Sequence, residues 1–384
     1  MDKKYYAYNA SPVSFAMPEM GMGIIPATAT SPQRMCYKRI PRAVEYRPDG
    51  VEINVYAPDA KTVEIAGTRV TRWGPAKHAL APAGDGWWKA LLTDVPPGPQ
   101  FVDFFFDGVR QLYDQAPICY AHNLHYNFIE GPELNDDFYD YKDVPHGAVR
   151  AEFYESKHTE SLRCCWVYTP PSYDTCPEKK YPVLYLQHGG GENETGWIWQ
   201  GKINFIMDNL LAEGKCEEMI VVMNSGHAYT PESQEEGVLP GDLGALLLGD
   251  CIPFIEGKFR VIADKAHRAL AGLSMGSYQT QWIAFNHPDV FDWLGIFSGS
   301  IDNAFDEIRT AKFLTAENAA NFNSQHKLLF YSRGMQEGGA RLPAEVEELR
   351  SRGIKAEYYT CEGVHEWQTW RYAAHEFVQL IFKD

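Results

Sequence analysis

The chain has 384 residues, 45% of them hydrophobic, and a formal net charge of −16 at pH 7, with a pI near 5.2. That length leaves room for two or three domains with an ample core. The acidic balance argues against nucleic acid or an anionic membrane surface as a partner, because both are met with basic patches. No segment approaches 18 uncharged apolar residues, as a membrane-spanning helix would need. Residues 1–42 are rich in Pro, Met and Ala with little periodicity and read as an extended arm. The stretch after Met1-Asp2-Lys3-Lys4 is polar and interrupted by proline, without the apolar core of a secretory signal. The expectation is a cytoplasmic protein, or a secreted one if a signal has been removed.

Residues 43–130 carry short alternating runs. They include Val51–Tyr56, Thr62–Gly67, Gly86–Leu92 and Gln100–Gly108, with turn signals between them. That spacing predicts a small all-β sandwich. Trp73, Trp87 and Trp88 could stack on sugar rings. Alternation along Trp87-Trp88 sends one ring inward, so a structural module is favoured over a glycan binder. Proline and charge mark 131–147 as a linker. From 148 to 384, strand and helix patterns alternate, which predicts an α/β domain with a mostly parallel sheet covered on both faces.

Within that domain, Tyr181–Leu186 reads as a strand running into Gln187-His188-Gly189-Gly190-Gly191. A glycine run after a strand can offer backbone N–H groups to a developing oxyanion, and here Gly190 is the expected donor. It lacks the lysine and spacing of a phosphate loop. His188 is expected to be a structural loop residue. Next, Arg268–Ala271 reads as a buried strand, followed by Gly272-Leu273-Ser274-Met275-Gly276 and then a helical pattern from Ser277. A serine on a sharp strand-to-helix turn projects its hydroxyl from the sheet, and small neighbours let the backbone turn. Ser274 is the candidate nucleophile, with Met275 N–H as the second oxyanion donor.

A base and an orienting acid should follow, in the order Ser, acid, His. Of His287, His326, His365 and His375, only His365 lies in a loop between a strand, Ala356–Thr360, and the last helix. After the strand Leu328–Ser332, Glu337 is the carboxylate in a glycine-rich turn. Asp302 and Asp306 are competitors one strand earlier. Trp197, Trp199 and Trp367 flank these loops and could line an aryl site together with Gly189, or simply anchor the loops. The eight cysteines, Cys36, Cys119, Cys164, Cys165, Cys176, Cys216, Cys251 and Cys361, show no C-x-x-C pair and no metal-ligand spacing, so free thiols and no metal are expected.

Together, Val167-Tyr168-Thr169-Pro170-Pro171, Leu186-Gln187-His188-Gly189-Gly190-Gly191-Glu192-Asn193-Glu194-Thr195, the Ser274 turn and Gly363-Val364-His365-Glu366-Trp367 resemble carbohydrate esterase family 1. That is the feruloyl and acetyl-xylan esterase group of the α/β-hydrolases. The resemblance covers about 145–384. Residues 43–130 resemble the early-set, immunoglobulin-like modules that precede many such esterases. The family implies a serine hydrolase that frees hydroxycinnamates or acetate from plant cell-wall polysaccharide without a cofactor. The expected partner is a small-molecule or oligosaccharide ester, and homo-oligomers remain open. Glu337 stands where family members often carry Asp. Two alternatives are kept: a siderophore (enterobactin-type) esterase, and a glycan-binding protein with an inactive hydrolase domain.

Overall fold

The computed structural model describes residues 20–25, 27–69, 71–133, 136–233, 239–301 and 311–383. Residues 1–19 of the arm, and both Asp302 and Asp306, lie outside them. The chain divides into two compact units. Of the described residues, the first takes those up to Tyr120 together with Leu124–Asp137, and the second takes Ala121–Asn123 and those from Phe138 onward.

In the first unit, Val44–Arg47, Gly50–Tyr56, Trp87–Leu92 and Ala81–Gly84 form an antiparallel sheet in that order. A second antiparallel sheet runs Ile118–Ala121, Leu124–Gly131, Gly98–Phe106, Val63–Gly67, Lys77–Ala79, with Val109–Gln111 also on Gly98–Phe106. Ile53 and Val55 from one sheet share a fully buried core with Ile65, Phe104 and Ile129 from the other, which makes a sandwich. Trp73 and Trp88 pack against this core, and Trp88 Nε1 donates to Ala57 O at 3.0 Å. Trp87 tilts over Tyr56, with ring centroids 5.2 Å apart.

The second unit is built on eight strands: β1 (Ala148–Ser156), β2 (Ser161–Thr169), β3 (Val183–Gln187), β4 (Ile220–Asn224), β5 (Arg268–Leu273), β6 (Trp293–Phe297), β7 (Leu328–Gly334) and β8 (Glu357–Cys361). Their order in the sheet is β1-β2-β4-β3-β5-β6-β7-β8. The β1–β2 and β2–β4 pairs are antiparallel, and every other pair is parallel. This is an α/β-hydrolase sheet with an antiparallel hairpin at one edge. β3, β4 and β6 are buried along their whole length, as unbroken apolar runs such as Ile220-Val221-Val222-Met223 require. Each Val or Leu so buried contributes roughly 1.5–3 kcal/mol. That offsets the roughly 1–2 kcal/mol of backbone entropy lost per ordered residue.

Four helices matter for the site: α1 (Ile203–Ala212), α2 (Met275–Asn286), α3 (Leu342–Ser351) and α4 (Trp367–Val378). The stretch expected as linker is partly structure. Tyr139 is fully buried, with the cations of Arg371 and Lys202 over its ring at 4.3 and 5.1 Å. Asn209 Nδ2 on α1 donates to the carbonyls of Phe138 and Asp140, each at 2.9 Å. Buried Asp208 accepts from Gly147 N at 2.9 Å and from Tyr168 OH at 2.7 Å, fixing where the chain enters β1. Composition marked these residues as linker because their proline and charge hide the buried aromatic pair Phe138-Tyr139.

Candidate active site

The register of β5 to β8 sets the carboxyl ends of four strands side by side. Leu273 pairs with Phe297, Phe297 with Ser332, and Gly334 with Cys361. Each strand then hands the chain to a tight turn, and those turns carry the chemistry.

Ser274 follows β5 directly and has φ 49°, ψ −115°, in the left-handed half of the map where an L-residue is strained. Two glycines make that turn possible. A Cβ on Gly272 would lie 2.5 Å from the Gly276 carbonyl, and one on Gly276 would lie 2.5 Å from His188 O. Ser274 N–H donates to Phe297 O at 2.9 Å, which ties the turn to β6. The hydroxyl stands out of the sheet, 2.9 Å from His365 Nε2. His365 Nδ1 in turn lies 2.7 Å from Glu337 Oε2. Because a carboxylate only accepts, Nδ1 carries the proton and Nε2 is left to accept from the serine.

Glu337 ends a single 3₁₀ turn, Met335–Glu337, straight after β7. Its Oε1 accepts from Gly334 N–H at 2.8 Å and from Ser298 Oγ at 2.5 Å, and Ser298 Oγ accepts from Trp370 Nε1 at 2.9 Å. Burial pushes the Glu337 carboxyl up, but the bonds from His365 and Ser298 outweigh it and the net displacement is downward. The group is therefore held as a carboxylate. Ser298 also has a positive φ, 52°, after β6. The loops of acid and base are stitched together: Gln336 N–H donates to Gly363 O at 3.0 Å, and Gly363 N–H to Gln336 Oε1 at 2.6 Å.

On the opposite side of Ser274 lies the glycine run after β3. A Cβ on Gly190 would come 4.0 Å from Met275 Cβ, so these two residues face one another across the turn. Gly189 N–H is already committed, donating to Glu192 Oε2 at 3.1 Å. His188 is buried; its Nδ1 donates to Gly189 O at 2.7 Å and its Nε2 accepts from Gly226 N–H at 2.9 Å. Burial drives its imidazole down to about 3, so it is neutral and structural, as expected from sequence. Asn123 N–H donates to Gly191 O at 2.8 Å. Burial first, and then the charge of His365, lowers His122 below the usual imidazole range.

The other histidines stand apart from this relay. His326 Nδ1 bonds Phe291 O at 3.0 Å, and His375 Nδ1 lies 2.9 Å from Glu376 Oε1. The tryptophans need correcting. Trp197 and Trp367 are 1% and 2% exposed and meet edge to face at 5.2 Å, so both rings lie beneath the loops and not on an open surface. Trp197 Nε1 donates to Gln187 O and Trp367 Nε1 to Glu192 Oε1. Both anchor the loops. Trp199 is half-buried, edge-on to Trp166 at 6.4 Å. Gly189, offered as a substrate contact, has its N–H turned to Glu192 instead. Sequence reasoning missed Ser298, Glu192, Trp370 and Asn123, each of which has at least one bonding partner distant in the chain.

Residues 156–378 match a family model described as "Putative esterase". The chain belongs to this esterase family. The chain is 34% identical over 338 residues to an endo-1,4-beta-xylanase/feruloyl esterase of Xylanibacter ruminicola, a match that covers 86% of this chain and 44% of that protein. It thus spans under half the length of that relative. A solved ferulic acid esterase is 25% identical with a TM-score of 0.53, covering 62% of this chain and 98% of its own. The enterobactin esterase of Shigella flexneri is 12% identical with a TM-score of 0.58, covering 88% and 94%, and shares the fold. Among the described residues no helix is long and apolar enough to cross a membrane.

Proposed function

We propose that the protein is a serine esterase that cleaves hydroxycinnamoyl, feruloyl-type esters of plant cell-wall saccharides. The observation that carries this reading is the relay from Glu337 through His365 to the Ser274 hydroxyl, at 2.7 and 2.9 Å. His365 takes the serine proton as the oxygen attacks the ester carbonyl. Glu337 stabilises the imidazolium that forms and fixes its tautomer. The N–H groups of Met275 and Gly190 receive the oxyanion, and Met275 sits at the first position of α2, where backbone N–H groups lack helical acceptors. The alcohol leaves with the histidine proton. Water then repeats the sequence and frees the acid.

The choice of acyl group leans on similarity: the Xylanibacter ruminicola relative and the solved structure are both named for ferulic or feruloyl esters. Deacetylation of xylan is the second reading, since the same relay serves any acyl group. Parallel assays on methyl ferulate, acetylated xylan and enterobactin test the reading. Methyl ferulate should be cleaved with the highest kcat/KM. A clear preference for either of the others would replace the substrate, and no turnover of any ester would overturn the esterase itself.

A further inference from the structure

One carboxyl group beside the site has no part in the relay. Glu192 follows the glycine run, and its side chain is buried beneath it. Each oxygen accepts one bond from a different loop: Oε2 from Gly189 N–H at 3.1 Å, and Oε1 from Trp367 Nε1 at 2.8 Å. Gly189 adjoins the expected oxyanion donor Gly190, and Trp367 comes two residues after His365 at the start of α4. These loops are 175 residues apart in sequence. Their neighbours fit the same purpose. A Cβ on Gly196 would lie 3.1 Å from the Trp367 ring and 3.8 Å from Glu192 Oε2, so the space beneath the loop is shaped around this pair.

We propose that Glu192 is a positioning residue that clamps the oxyanion loop to the base loop, so that Gly190 N–H and the His365 imidazole keep one fixed register about Ser274. The chemistry of the group supports this. A carboxyl accepts at both oxygens whether or not it is ionised, because an acid proton can rotate away from an incoming donor. An amide accepts at only one. Glu192→Gln therefore sets its NH2 against Gly189 N–H or Trp367 N–H, and one loop must shift. An oxyanion donor matters only if it is held where charge develops. The loss should fall on the transition state, not on ground-state binding.

The proposal rests on the serine-esterase reading, and the experiment separates the two. Wild type, Glu192→Gln and Trp367→Phe are compared on methyl ferulate for kcat and KM. The rate of covalent labelling by a fluorophosphonate, which forms a tetrahedral adduct on an activated serine, is measured in parallel, with melting curves. Trp367→Phe keeps an aromatic ring and deletes one N–H, so it remains informative if Glu192→Gln fails to fold. The expected result is a kcat lowered about 10- to 100-fold in folded Glu192→Gln, with KM within about twofold and labelling slowed in proportion. Trp367→Phe should show a smaller loss in the same sense, and the double variant little beyond Glu192→Gln, as for two halves of one unit. Folded variants with wild-type kcat and labelling rates would overturn the clamp, as would a loss confined to KM. If the wild-type protein itself neither labels nor turns over, the esterase reading falls and the clamp falls with it.

Discussion

At the scale of single residues, Ser274 is held at φ 49° although it bears a side chain. Ser274→Ala should abolish turnover with a nearly unchanged melting temperature, because the half-buried hydroxyl stands outside the apolar core and contributes little to packing. Ser274→Gly should be equally inactive but more stable, since glycine enters this region without strain that costs of order 1–3 kcal/mol. Activity and melting curves on the two variants check both; equal melting temperatures would refute the strain. Glu192 and His188 make opposed pH contributions. Burial raises the Glu192 carboxyl from 4.5 to about 7 and lowers His188 from 6.5 to about 3. The unfolded glutamate ionises near pH 4.5 while the folded one keeps its proton, so its contribution is full below about 4.5 and gone by about 7. That of His188 is full above about 6.5 and declines as pH falls toward 3. Glu192→Gln removes only the first, a contribution on the order of 3 kcal/mol. The variant should therefore gain on wild type as pH rises from 4.5 to 7. Paired melts across that window decide it, and a constant difference would count against the assignment.

At the scale of elements, the acid is held by three neighbouring strand ends. Glu337→Gln should lower kcat by roughly 10²–10⁴, and adding His365→Ala should change little further, because members of one catalytic unit are not additive. Near-wild-type activity in Glu337→Gln would move attention to Asp302 or Asp306. Ser298→Ala removes the hydroxyl that bonds Glu337 Oε1 and accepts from Trp370 Nε1. It should cost about tenfold in kcat with KM unchanged, as expected when a bond to a charged group is lost; steady-state kinetics on methyl ferulate would expose an error. The same elements show what could be read without coordinates. β5 and α2 were legible because strand, glycines and helix sit next to one another in the chain, and the relay residues because each lies in the turn or loop that follows a strand. Ser298 was not, since its partners, Glu337 in the turn after β7 and Trp370 on α4, lie 39 and 72 residues away. The tryptophans misled for a related reason: an aromatic near a catalytic loop reads the same in sequence whether it faces the substrate or lies beneath the loop.

At the scale of the whole molecule, Ala121–Asn123 group with the second unit although the chain on both sides of them belongs to the first. A protein beginning at Phe138 keeps all eight strands of the hydrolase sheet but loses the bond from Asn123 N–H to Gly191 O. It should fold less stably and turn over methyl ferulate more slowly than full-length protein. Equal melting temperature and kcat/KM on that small ester would show that the glycine run needs no such brace. The strand order has a consequence in time as well as in space. Five of the seven strand pairs are parallel, and the serine and its base are 91 residues apart in the chain. Parallel pairing requires long crossovers, and contacts that distant form late because loop-closure entropy must first be overcome. Helices and the β1–β2 hairpin can therefore appear before any active centre exists. In refolding from denaturant, the far-ultraviolet signal should recover ahead of turnover, making hydrolysis a report that the last strand has docked.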